Sequence, residues 1–153
     1  MSERVYLFPA WVRLWHWLNA ALILVLAATG LSLHYSDPKL PLLDFELAVR
    51  IHNACGIALA VTYLFFLAAN AKSGNWRHFL VLGPHAGQRL RAQLAWYAWG
   101  IFQGAPHPHE PSPDAPFNVL QALTYAGVMY GLMPVLIGSG LVFLYPELAP
   151  DQL

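Results

Sequence analysis

The sequence predicts an all-α transmembrane helical bundle with three spans. The residues are 58% hydrophobic and only 10% charged, three long stretches carry no charge at all, and tryptophans crowd the start of the first of them. A soluble domain has about a quarter charged residues, and a water-solvated fold of 153 residues needs more polar surface than this chain offers. Six Trp and seven Tyr suit a protein with two lipid–water interfaces to anchor. The formal net charge is zero, so no basic excess points to nucleic acid as a partner. Cys55 is the only cysteine, which excludes intrachain disulfides, Cys-rich zinc sites and self-contained iron–sulfur clusters.

The elements follow in order within one membrane domain, 1–153. After Arg13 no Asp, Glu, Lys or Arg appears until Asp37, and a first span over 14–34 is long enough to cross about 30 Å of hydrocarbon. Trp11, Trp15 and Trp17 lie where an aromatic belt would. No small-residue cleavage site is evident, so this segment reads as a retained span. Pro38 and Pro41 break the turn that follows, and a second span covers 47–70. The connection 72–116 mixes Lys72, Arg77, Arg89 and Arg91 with Trp76, Trp96 and Trp99. An interfacial amphipathic helix is expected over 87–102, and the Pro-rich run GAPHPHEPSPDAP cannot be helical throughout. The third span, 117–145, is uncharged, with a kink expected near Pro134, Gly131 and Gly138.

Basic residues set the expected orientation. Arg4, Arg13, Lys72, Arg77, Arg89 and Arg91 fall on one side, and Lys39 and Arg50 on the other. That bias puts the N-terminus in the cytoplasm and the first loop and C-terminus outward.

Seven histidines are present. His16 and His52 lie in or at the edge of spans, where an ionisable side chain is expensive and usually functional. A haem b held inside a bundle needs a neutral imidazole and small residues beside it, because the macrocycle is flat. At helical spacing, Ala20, Ile23, Ala27, Gly30 and His34 share a face with His16, and Cys55, Gly56, Leu59, Ala60 and Tyr63 share one with His52. Ala20, Ala27, Gly30, Gly56 and Ala60 are the candidate haem-packing positions. Arg13 and Arg50 are candidate contacts for haem propionates. The same small residues also suit plain helix packing without a cofactor. His16 near one end of span one and His52 near the opposite end of the membrane cannot share an iron, so two ligated irons would mean two haems across the bilayer. His34 is a candidate second ligand beside His52. His107, His109 and Glu110 form a weaker candidate metal group.

The segments VYLFPAWVRLWHWLNAALILVLAATGLSLHY, RIHNACG and WYAWGIFQGAPHPHEPSPDAPFNVLQALTYAGVMYGLMPVLIGSGL resemble the cytochrome b subunits of the bacterial b561 and nickel–iron-hydrogenase group. The thiosulfate reductase cytochrome b subunit, related to the membrane subunit of formate dehydrogenase, looks nearest. The resemblance implies a di-haem, quinone-reactive, electron-transfer subunit of an oxidoreductase complex in the bacterial inner membrane. It would exchange electrons between menaquinone or ubiquinone and a redox partner, either an iron–sulfur/molybdopterin enzyme or a c-type cytochrome. It carries His16 and His52 over as haem iron ligands. It also implies a fourth helix bearing their partner histidines, which is not found before Leu153. It carries the quinone site over onto Asn118 and Gln121, three residues apart on one helical face. Read on their own, Asn118 is a helix N-cap and Gln121 an interfacial polar residue. The competing function is a cofactor-free membrane anchor for a peripheral enzyme. A transporter subunit ranks last, since no Asp or Glu lies within the spans.

Overall fold

A computed structural model describes residues 7–35, 43–79, 83–113 and 115–148. Every regular element among them is helical, and the fold is all-α. Three helical runs are long and apolar enough to cross a membrane: Ala10–His34, Phe45–Ser73 and Val119–Leu144. Their backbone donors and acceptors pair within each helix, as hydrocarbon requires. Large side chains such as Leu24, Val61, Phe65 and Phe143 stand exposed along them. On a soluble monomer such a surface would aggregate; in lipid it is solvated.

The chain divides into two compact units. One holds Ala10–Ala69 with Pro134–Leu153. Its first two helices are α1 (Ala10–His34) and α2 (Phe45–Ser73). They run antiparallel, because partners on α2 fall in number as those on α1 rise. The Trp15 indole N–H donates to the Thr62 carbonyl at 3.0 Å, whereas Thr29 meets His52. Trp15 stacks on Phe66 with centroids 4.1 Å apart, and Leu59 and Tyr63 complete a tight apolar contact. Lipid tails are as apolar as these side chains, so close packing and interhelical hydrogen bonds hold the pair rather than escape from water. Asp44 caps α2 by accepting from the Leu47 amide at 3.0 Å.

The other unit comprises Met1–Pro9 and Asn70–Met133. Its described part comprises residues 7–9 and the chain from the last turn of α2. Gly74, at φ 73°, takes the left-handed conformation that ends a helix cheaply only in glycine. A 3-10 turn follows at Asn75–Phe79, then α3 (Ala86–Ala98) and a second 3-10 turn at Gly100–Gln103. The single amphipathic helix expected over 87–102 is therefore two elements, broken at Trp99. A side chain at Gly100 would come within 2.8 Å of the Trp96 ring, so the chain turns there against that indole.

The third apolar run is α4 (Val119–Ala126), a π-helical stretch (Gly127–Leu132) and α5 (Met133–Leu144). Near Pro134, where a kink is expected, that π stretch ends two residues before the proline. Pro134 has no N–H and its ring would crowd the carbonyl one turn back, and the wider π turn removes the conflict.

Candidate functional site

The two candidate ligands on α1 and α2 have different surroundings. His52 is partly buried, and its Nδ1 lies 2.8 Å from Thr29 Oγ1. That hydroxyl also lies 2.8 Å from the Val25 carbonyl oxygen. A Cβ built on Gly30 would sit 3.5 Å from His52 Cε1, an ordinary van der Waals contact, so the imidazole lies beside α1 at that residue. One turn along α2 from His52, a Cβ on Gly56 meets no atom within 4 Å, so helix packing does not require glycine there. Among the described residues, His52 Nε2 makes no hydrogen bond.

His16 is exposed, and its ring meets the edge of Trp17 at 5.5 Å. It makes no hydrogen bond among the described residues. One turn on, Asn19 is only 7% exposed and its Oδ1 has no partner among the described residues, an orphaned acceptor inside the helix pair. Thirteen residues separate His16 from Thr29, which places the two imidazoles roughly 20 Å apart along the helix axis.

His34 is exposed, with its ring edge-on to Tyr35. It lies five residues beyond Thr29, the residue whose hydroxyl meets His52. Arg50 pairs with Glu46 one turn earlier on the exposed face of α2. Ala20, Gly30, Gly56 and Ala60 are partly buried, whereas Arg13 and Ala27 are exposed.

The second candidate region lies in the other unit. Asn118 is the N-cap of α4, and its side chain accepts from the Gln121 amide at 2.8 Å. The Gln121 side chain accepts in return from the Asn118 amide at 3.1 Å. This reciprocal capping box uses both side-chain carbonyl oxygens and leaves the two amide NH2 groups as donors. Both residues line a cavity of about 450 Å³ together with His107, His109 and Glu110. His107 is fixed by Gln93 at 3.1 Å and by the His109 carbonyl at 2.6 Å, and His109 Nε2 lies 3.1 Å from the Ala115 carbonyl. These rings serve loop structure, and no group of three metal-ligating side chains forms among the described residues.

Sequence reading did not single out Thr29, Asn19 or Gln93. Each is a polar residue on an otherwise ordinary helix face, and only its burial distinguishes it. For Thr29 and Asn19 a cue did exist, since a hydroxyl or amide within an uncharged span is costly unless something uses it.

Comparison with known proteins adds a family to this geometry. Residues 7–152 match the family described as prokaryotic cytochrome b561. The chain is 38% identical over 150 residues to the "Putative cytochrome YdhU" of Escherichia coli, covering 98% of this chain and 57% of that protein. It is 28% identical over 153 residues to the "Putative protein-methionine-sulfoxide reductase subunit YedZ1" of Azospira oryzae, covering 93% of this chain and 72% of that one. The chain thus spans little more than half the length of the first relative. No solved structure matches it.

Proposed function

The chain belongs to the prokaryotic cytochrome b561 family, and from that membership we propose that it is a haem b-carrying membrane subunit that passes electrons between the quinone pool and a partner oxidoreductase. Haem b, when bound, supplies a one-electron couple within the bilayer. The observation that carries the reading is the placement of His16 and His52 at opposite depths of one helix pair, roughly 20 Å apart.

The residues present fit the group. His52 is held through Nδ1 and has an uncommitted Nε2, and Gly56 keeps the adjacent face of α2 free of side chain. His16 offers an imidazole with no competing hydrogen bond among the described residues. Ala20, Ala27 and Ala60 keep neighbouring helix faces low, and Arg13 is the candidate charge for a propionate at the His16 end. At the His52 end Arg50 would have to exchange Glu46 for a propionate.

For the quinone, Asn118 and Gln121 are the proposed contacts. Since their oxygens cap α4, they act as N–H donors and suit the carbonyl oxygens of a quinone. The Lys and Arg bias favours an inner-membrane protein with its N-terminus in the cytoplasm. The quoted motifs support a partner of the thiosulfate reductase or formate dehydrogenase kind, and the name of YedZ1 adds a methionine-sulfoxide reductase as another class.

Reduced-minus-oxidised absorbance of the chain purified with its partner tests this reading. Bands of b-type haem are expected. A colourless complex overturns it and leaves a membrane anchor.

A further inference from the structure

We propose that Thr29 is the positioning residue for His52: its hydroxyl oxygen accepts the Nδ1–H of the imidazole, fixes the tautomer and leaves Nε2 as the nitrogen that takes a metal. The inference rests on the haem reading of His52 and adds a residue on the opposite helix to it.

The hydrogen bonds select the direction. Thr29 Oγ1 lies 2.8 Å from the Val25 carbonyl, 3.2 Å from that of Leu26 and 2.8 Å from His52 Nδ1. A hydroxyl has one proton to give and lone pairs to receive with. A carbonyl oxygen only accepts, so the contact with Val25 uses the Thr29 proton. Nδ1 then meets a lone pair and must carry the hydrogen. The opposite assignment would send the Thr29 proton to Nδ1 and put the ring hydrogen on Nε2. There it has no acceptor among the described residues, which is costly in an apolar medium.

Burial makes the contact persistent. Thr29 is 3% exposed, so water does not compete for it. The imidazole lies beside α1 at Gly30, next in sequence, with Cε1 3.5 Å from where a Cβ would be. Thr29 restrains the rotation of the ring. Helix α1 thus orients a ligand carried by α2. A ligating histidine commonly donates its other N–H in this way, which fixes its orientation and raises its basicity toward the metal. A hydroxyl does so without placing a charge inside the membrane.

The test uses the full chain purified with its partner, comparing wild type with Thr29→Val, Thr29→Ser and His52→Ala. Thr29→Val keeps the shape and removes the acceptor. Haem affinity at the His52 site should fall about 10–100-fold. The midpoint potential of the remaining haem there should move positive, because a less basic imidazole stabilises the ferric state less. Thr29→Ser keeps the hydroxyl and should restore both values, which a merely space-filling role would not predict. If Thr29→Val does not assemble, Thr29→Cys, with a weakly accepting sulfur, should give a smaller positive shift. Loss of one haem in His52→Ala, with potential and affinity unchanged in the Thr29 variants, overturns the role of Thr29 and leaves the haem reading standing. Full haem retention in His52→Ala overturns both.

Discussion

His52 and His16 lie on the same antiparallel helix pair, yet of the two only His52 has a hydrogen-bond partner among the described residues. His52 has a partner at 2.8 Å across the interface and Gly30 of α1 beside its ring. His16 is exposed, with its ring edge-on to its neighbour Trp17 and no hydrogen bond among the described residues. The ends of the pair are also held differently. Near His16 the helices meet through the stack of Trp15 on Phe66 and an indole hydrogen bond; near His52 they meet through a hydroxyl–imidazole bond. One imidazole is thus oriented across the helix pair, and the other has no hydrogen bond among the described residues.

Removing each imidazole in turn should give the largest effect and break the comparison most cleanly. His52→Ala should abolish one b-type haem and spare the other, and His16→Ala should do the converse, as counted by a pyridine haemochrome assay. If either substitution strips both haems, the two ends are not independent sites. Next in size is the aromatic anchor. Phe66 is almost fully buried under Trp15, so Phe66→Ala should cost about 3–5 kcal/mol in a denaturant titration in detergent. A cost below about 1 kcal/mol would mean that the stack does not hold the His16 end.

The capping box gives a smaller effect in the other unit. Asn118→Ala removes the N-cap of α4 and should destabilise by about 1 kcal/mol. It should also raise the apparent KM for quinol if the amide contacts the headgroup. A loss of stability with an unchanged KM would keep the cap and remove the quinone contact. Smallest is Arg50→Gln. Its ion pair with Glu46 is 73% and 74% exposed, so unfolding should change by less than about 0.5 kcal/mol. A larger change would show Arg50 engaged elsewhere.

The three long helices were legible because missing charge is a strong signal over twenty residues, and hydrocarbon leaves the backbone little choice but helix. His52 was legible as an inward-facing imidazole because Cys55, Gly56 and Leu59 share its face. The hydroxyl partner was not, since the register between α1 and α2 decides whether Thr29 or a neighbouring leucine meets the ring, and no local pattern encodes that register. Asn118 and Gln121 were read in two ways, as a helix cap and as a quinone contact. The structure contains the cap, with the amide nitrogens still available. The break of α3 at Trp99 escaped the helical pattern because it comes from the packing of Gly100 against Trp96, one turn away.

Pulsed electron paramagnetic resonance on the oxidised chain within its partner complex tests most directly the proposal that one helix pair carries two haems at opposite depths. Two low-spin centres coupled across roughly 20 Å are expected. A single centre, or two in close contact, would contradict it.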